Sequence, residues 1–181
     1  IGVPLLIEKA ESHEQWDAGW NYRGMGQFGS ALSPLDRLMI ALGRSGDVAA
    51  IPVIVKKMEA LTAKDDFSHH RACALALELL ADPAAAKPLA EHLMKPGMQG
   101  FVHDTLEKAR KADSESPGGT VAVETRRDSI RELAVARALF RCGDYGDLGR
   151  QTLGQYVDDL RGHFSRHAKA VLETPLKKKR P

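Results

Sequence analysis

The sequence predicts an all-α fold, an α-solenoid of stacked antiparallel helix pairs, on three observations. Apolar residues recur at helical spacing along most of the 181 residues. A helix start and a turn both return after 35 residues, the mark of a repeat architecture. Strand-like patterning is confined to residues 120–123.

Residues 1–32 read as an N-terminal helix over 3–10 followed by a loop whose Gly19, Gly24, Gly26 and Gly29 break any regular pattern. The repeat domain is predicted over 33–175. Its first pair, 33–62, opens with Ser33-Pro34-Leu35-Asp36: a hydroxyl cap, a proline at the first helical position and a carboxylate that can return a hydrogen bond. Leu35, Leu38, Met39 and Leu42 follow on one face, Gly43, Gly46 and Asp47 form a break, and Ile51, Ile54, Met58 and Leu61 mark the second helix. The second pair, 68–95, starts at Ser68 with Cys73, Ala76, Leu77 and Leu80 inward, turns at Asp82-Pro83, and continues with Ala86, Leu89 and Leu93. Residues 98–124 hold a shorter helix, expected from Phe101, Val102, Thr105, Leu106 and Ala109, and a polar loop over 112–120 with nothing to bury. The third pair, 125–172, starts at Thr125-x-x-Asp128, carries Ile130, Leu133, Ala136 and Phe140, and turns at Cys142-Gly143-Asp144. Its apolar stripe runs from Leu153, Tyr156, Val157 and Leu160 to Phe164, Ala168 and Val171, as one long helix or two joined near Gly162. Residues 176–181 form a basic tail, expected to be a solvated extension.

Apolar residues are 43 % and charged residues 28 % of the chain, as expected of a soluble globular protein and not of a collagen-like, disulfide-stapled or disordered one. The longest aliphatic run, 51–55, is far short of the roughly 18 to 20 residues of a membrane span. Without Lys177, Lys178, Lys179 and Arg180 the formal charge falls from +2 to −2, so the body lacks the positive balance expected of a nucleic-acid binder. Cys73 and Cys142 sit in apolar helical patterns and are expected to be small buried side chains. The chain begins at Ile1 without a basic-then-apolar leader, which leads us to expect a piece of a longer polypeptide and leaves the compartment undefined.

The stretches LDRLMIALGRSGDVAAIPVIVKKME and HHRACALALELLADPAAAKPLAEHL resemble phycobilisome-lyase-type HEAT-like repeats. Each has an Ala/Leu-rich first helix, a Gly-Asp or Asp-Pro turn, and a second helix with an early proline, Pro52 or Pro88. Residues 33–95 carry the resemblance well, and 125–172 less so because no proline follows Asp144. It implies an armadillo-type superhelix and a partner-binding surface, without implying a reaction. Physics leads the same way, because a pair of about 30 residues cannot bury both of its stripes and must stack on neighbours. The stretch from the aromatic loop WDAGWNYRGMGQFG to RGHFSRHAKAVL also resembles repeat domains appended to large bacterial flavin-dependent oxidoreductases, which would make the chain an accessory domain that binds no flavin itself.

Candidate chemistry is sparse. His163 and His167, four apart on a helix, suit a surface or partner contact, or with Arg161 and Arg166 a phosphate or carboxylate pocket, ahead of a metal, and the carboxylate a hydrolase would need is missing. His69 and His70 point about 100° apart and are expected on the surface at a helix start. Only His13-Glu14 has the His-Glu order of the di-iron HEAT-like deoxyhypusine hydroxylases, and one pair cannot build that site. Similarity to HEAT-like alkylpurine DNA glycosylases would need a basic face, for which Arg126, Arg127 and Arg131 are the local cluster, available equally to Glu124, Asp128 and Glu132. A chromophore site does not follow from the repeat type alone. Gly24-x-Gly26-x-x-Gly29 has the dinucleotide spelling but follows no strand.

The most unusual stretch is WDAGWNYRGMGQFG. Trp16, Trp20, Tyr22 and Phe28 are four of the ten aromatics, and with Arg23 they suit either a cap over the first repeat or a contact hot spot. The expectation is therefore a non-catalytic protein-interaction or scaffolding module. Trp16, Trp20, Tyr22, Arg23, His163, Arg166 and His167 are its candidate contact residues. A protein or another domain of the same polypeptide is the expected partner, with neither cofactor nor metal.

Overall fold

The computed structural model describes residues 2–16, 32–114 and 123–174. Among these the regular structure is entirely helical: α1 (Gly2–Glu11), α2 (Pro34–Arg44), α3 (Ile51–Glu59), α4 (Phe67–Leu80), α5 (Ala86–Leu93), α6 (Leu106–Ser114), α7 (Val123–Arg141), α8 (Leu148–Tyr156) and α9 (Gly162–Glu173). No described helix is long and apolar enough to cross a membrane. The aromatic loop from Trp20 to Phe28, with Tyr22 and Arg23, and the basic tail lie outside the described residues.

Local chemistry sets the boundaries. Ser33 and Asp36 form a reciprocal capping box at α2, the Ser33 hydroxyl accepting from Asp36 N at 3.0 Å and the carboxylate from Ser33 N at 3.1 Å. The turn into each second helix is built twice in the same way. Gly46 (φ +72°) and Ala81 (φ +48°), 35 residues apart, take the left-handed conformation that ends a helix. The next residues, Asp47 and Asp82, each accept from the backbone N–H two residues on, at 2.9 and 3.0 Å, starting a single 3₁₀ turn that runs into α3 or α5. After α7 the turn differs: Asp144 and Asp147 are both left-handed, and the Asp144 carboxylate reaches forward to Gly149 N and Arg150 N.

Packing follows chain order. α2 packs on α4, α4 on α7, and α7 on α8, while α3 and α5 back onto α4 and α7. Asp36 meets His69 near the start of α2 and α4, and Gly43 meets Ala76 further along, so the two helices run parallel. At that second point a Cβ on Gly43 would fall 2.4 Å from Ala76 Cα, a separation only glycine permits. α8 returns antiparallel, with Gly149 against Ala136 and Phe140 and with Tyr156 on Glu132. α4 is flanked on both sides, and its interior is accordingly small: Ala72, Cys73, Ala74 and Ala76 are all buried.

Four sequence expectations need correction. Ser68 is not the cap of α4, which starts at Phe67 behind Asp66. α7 begins at Val123, so Thr125 lies inside the helix and residue 123 is not in a strand. α6 starts at Leu106, because Phe101 and Val102 belong to an extended segment held by buried charges. The last stripe is two helices with α9 starting at Gly162, one of the two readings left open, but Leu160, expected on the stripe, turns outward in the break at 157–161.

Candidate functional site

On α2 the stripe Leu35, Met39 and Leu42 faces the core. A second stripe, Arg37, Ile40, Ala41 and Arg44, follows the 3.6-residue period along another face. It meets Arg71, Ala72 and Leu75 of α4 to line a groove of about 750 Å³, with Leu32 and Ser45, which flank the two ends of α2, completing the lining. Of the floor residues, Ile40, Ala41 and Leu75 are half-buried and Ala72 is buried, while the three arginines are exposed. No carboxylate among the described residues pairs with Arg37, Arg44 or Arg71. The next seam differs. Between α4 and α7, Glu78 accepts from Arg137 Nε at 2.7 Å, so the cation there is already neutralised.

This groove belongs to a wider charge segregation. α2, α4 and α7 carry eight arginines and no lysine, whereas α1, α3 and α5 carry four lysines and no arginine. A net charge near zero hides that asymmetry. The signal was present in sequence as Ile40 standing off the buried stripe between two arginines, but neither arginine could be singled out before α4 was placed beside α2.

The histidines expected on the surface are buried instead. His69 Nδ1 is 2.9 Å from Asp36 Oδ1, with Trp16 stacked on the imidazole at 4.9 Å between centroids. Ser68 Oγ, at 3.4 Å, approaches the same Nδ1. A nucleophilic triad needs the hydroxyl and the carboxylate on opposite ring nitrogens, so these three residues do not form one. His70 Nε2 meets Thr62 O at 3.1 Å, and its Nδ1 meets His92 Nε2 at 2.9 Å. A carbonyl only accepts, so His70 donates from Nε2, accepts at Nδ1, and His92 must donate from its own Nε2. His92 Nδ1 is then a buried acceptor without a partner among the described residues. A proton on either ring would face another N–H or find no acceptor. Burial pulls His70 down to about 4, with Arg131 adding to it, and His92 to about 3, with His70 adding to it.

The charged residues of α7 hold the segment before α6. Glu132 accepts from Gly100 N and Phe101 N, both at 3.0 Å, and from Tyr156 Oη at 2.6 Å. Arg131 pairs with Asp128 and donates to Ala63 O and Gly97 O. Arg161 donates to Phe101 O and Ser129 Oγ. Burial pushes Asp159 up, but Arg161 and the N–H of His103 outweigh it and hold the carboxyl below its usual range. These side chains serve the fold.

The remaining predicted contact residues separate. Trp16 is half-buried between α1 and His69, its Nε1 buried with no acceptor among the described residues. On α9, His163 and Arg166 are exposed and His167 is half-buried. Burial first, then Arg126, lowers the His163 pKa, and burial first, then Arg137, lowers that of His167. The described residues include no group of three or more His, Cys, Asp and Glu able to hold a metal ion. Burial raises the Cys73 thiol well above its usual value and Cys142 to about 12, which leaves both as unreactive thiols at neutral pH. In comparison with known proteins, no family model matches the chain, and neither a curated protein nor a solved structure shows significant similarity to it.

Proposed function

We propose that the chain is a HEAT-like repeat module, an armadillo-type α-solenoid that acts without catalysis by binding a protein partner or another domain of the same polypeptide. Support for the repeat comes from the turns at 46–50 and 81–85, built alike 35 residues apart, and from the parallel register of α2 on α4. The observation that carries the binding role is the α2/α4 groove. Arg37, Arg44 and Arg71 stand around an apolar floor and, among the described residues, lack a carboxylate of the kind that neutralises Arg137 at the next seam. Such a surface suits recognition, since arginine beside apolar surface is typical of interaction hot spots.

The test is reassembly of a purified complex. Proteins captured by the folded chain are identified by mass spectrometry, purified, and titrated against the wild type and an Arg37→Glu/Arg44→Glu/Arg71→Glu variant. The expected result is a complex that the variant weakens at unchanged melting temperature. Equal binding by the variant moves the contact off this groove, and failure of every captured protein to reassemble overturns the reading.

A further inference from the structure

We infer that the groove receives an acidic, amphipathic α-helix from a partner protein, laid along the α2/α4 seam. The inference rests on the interaction role proposed above and specifies the chemistry of the occupant. Arg37 and Arg44 are seven residues apart on one helix face, about 10.5 Å along the axis. Two carboxylates seven residues apart on an incoming helix share a face and span the same distance. Arg71, on the neighbouring helix, flanks the groove from its other side and suits a third carboxylate. Between the cations lie Ile40 and Ala41 of α2 and Ala72 and Leu75 of α4. That floor takes aliphatic side chains three and four positions on from each acid, the usual register of a helix in a groove.

Charge complementarity alone would also admit a nucleic-acid backbone, and the floor decides between them. A duplex is held through about six to ten phosphates, whereas here three cations border an apolar strip that phosphates cannot use. Ile40, Ala41 and Leu75 keep part of their surface open, and no ion pair among the described residues involves Arg37, Arg44 or Arg71, so the cations are available to a partner's carboxylates. Guanidinium groups engage carboxylates in bidentate fashion, which sets register as well as affinity.

The probe is a displayed library of amphipathic helical peptides, randomised in charge and in apolar content. It is selected on the wild-type chain and counter-selected on Arg37→Glu/Arg44→Glu/Arg71→Glu. Because all three arginines are exposed, the variant is expected to keep the wild-type melting temperature. Selected peptides should be enriched in Asp or Glu seven residues apart with Leu, Ile or Met between them. Their binding should fall about tenfold or more in the variant, the sum of three modest ion pairs, and should weaken as salt rises. Selection of peptides without acidic enrichment, equal binding to the variant, or tighter binding of a short DNA duplex overturns the inference. If any of these occurs while a reassembled protein complex still depends on the three arginines, the interaction role stands and the acidic helix alone is wrong.

Discussion

Acidification from pH 7.5 to pH 5 should destabilise the fold through His70 and His92. Both are neutral in the folded state, with pKa values lowered from 6.5 to about 4 and about 3. The unfolded chain binds more protons than the folded one throughout that interval, so stability rises with pH and is lost as pH falls. The stabilisation is complete above the unfolded value near 6.5 and declines as pH drops toward the folded values. At pH 5 both folded rings are still neutral, and the cost is set by proton uptake in the unfolded chain. That uptake amounts to about 1.5 pH units per histidine, or about 2 kcal/mol each and about 4 kcal/mol together. For a chain of this size the melting temperature should fall by about 10 °C. The carboxylates held below their usual range, Asp65 and Asp159, lose their contributions only at lower pH and stay outside this window. Urea unfolding followed by far-ultraviolet circular dichroism at pH 7.5, 6.5, 5.5 and 5.0 measures the slope. A His70→Gln/His92→Gln variant supplies the reference, less stable at neutral pH but flatter. A wild-type loss below about 1 kcal/mol, or an equal slope in the double variant, would refute the assignment of neutral tautomers to this pair.

Gly43→Ala should destabilise despite alanine's better helix propensity, because the new Cβ would meet backbone atoms of Ala76 at 2.4 and 2.7 Å. A loss of about 1 to 3 kcal/mol is expected, and a raised melting temperature would mean that α2 and α4 can move apart freely. Glu132→Ala should cost about 3 to 5 kcal/mol by leaving Tyr156 Oη and two backbone N–H groups without their acceptor. Amide exchange at Gly100 and Phe101 should accelerate, and unchanged protection there would show that the carboxylate does not hold the segment. Trp16→Ala removes a half-buried ring from His69 and should cost about 2 kcal/mol, less than the roughly 3 to 5 of a fully buried aromatic. Loss of partner binding at unchanged melting temperature would make Trp16 a contact residue instead.

What was legible in the sequence was local. Ser33 and Asp36 form the capping box their spacing implied, and the turns at Asp47 and Asp82 are satisfied within a few residues. The apolar stripes of α3 and α5 face the core as their period required. His69 and His70 misled because a helix packed on one side would expose them, whereas α4 is covered from two. Asp36 of α2 reaches one imidazole and His92 of α5 the other. Arg131 and Glu132 show the same limit. Their charges read as a local cluster, and Arg131 does pair with Asp128, yet both also hold backbone groups 31 to 68 residues away in sequence. The arginine groove was invisible for a related reason: it belongs to no single helix, and only the parallel register of α2 and α4 brings its two walls together.

The position of α4 between α2 and α7 also shapes how the chain opens. Its amides lie in the most shielded element, with neighbours on both flanks and an interior too small to leave gaps. Opening therefore proceeds inward from the outer helices, where fewer apolar contacts must be broken. α1, α6 and α9 should exchange their amide protons through partial, low-energy fluctuations, while α4 exchanges only when the whole assembly comes apart. A ligand seated on the α2/α4 seam would then tie α2 to the slowest-opening helix, and so restrain that end of the chain from fraying.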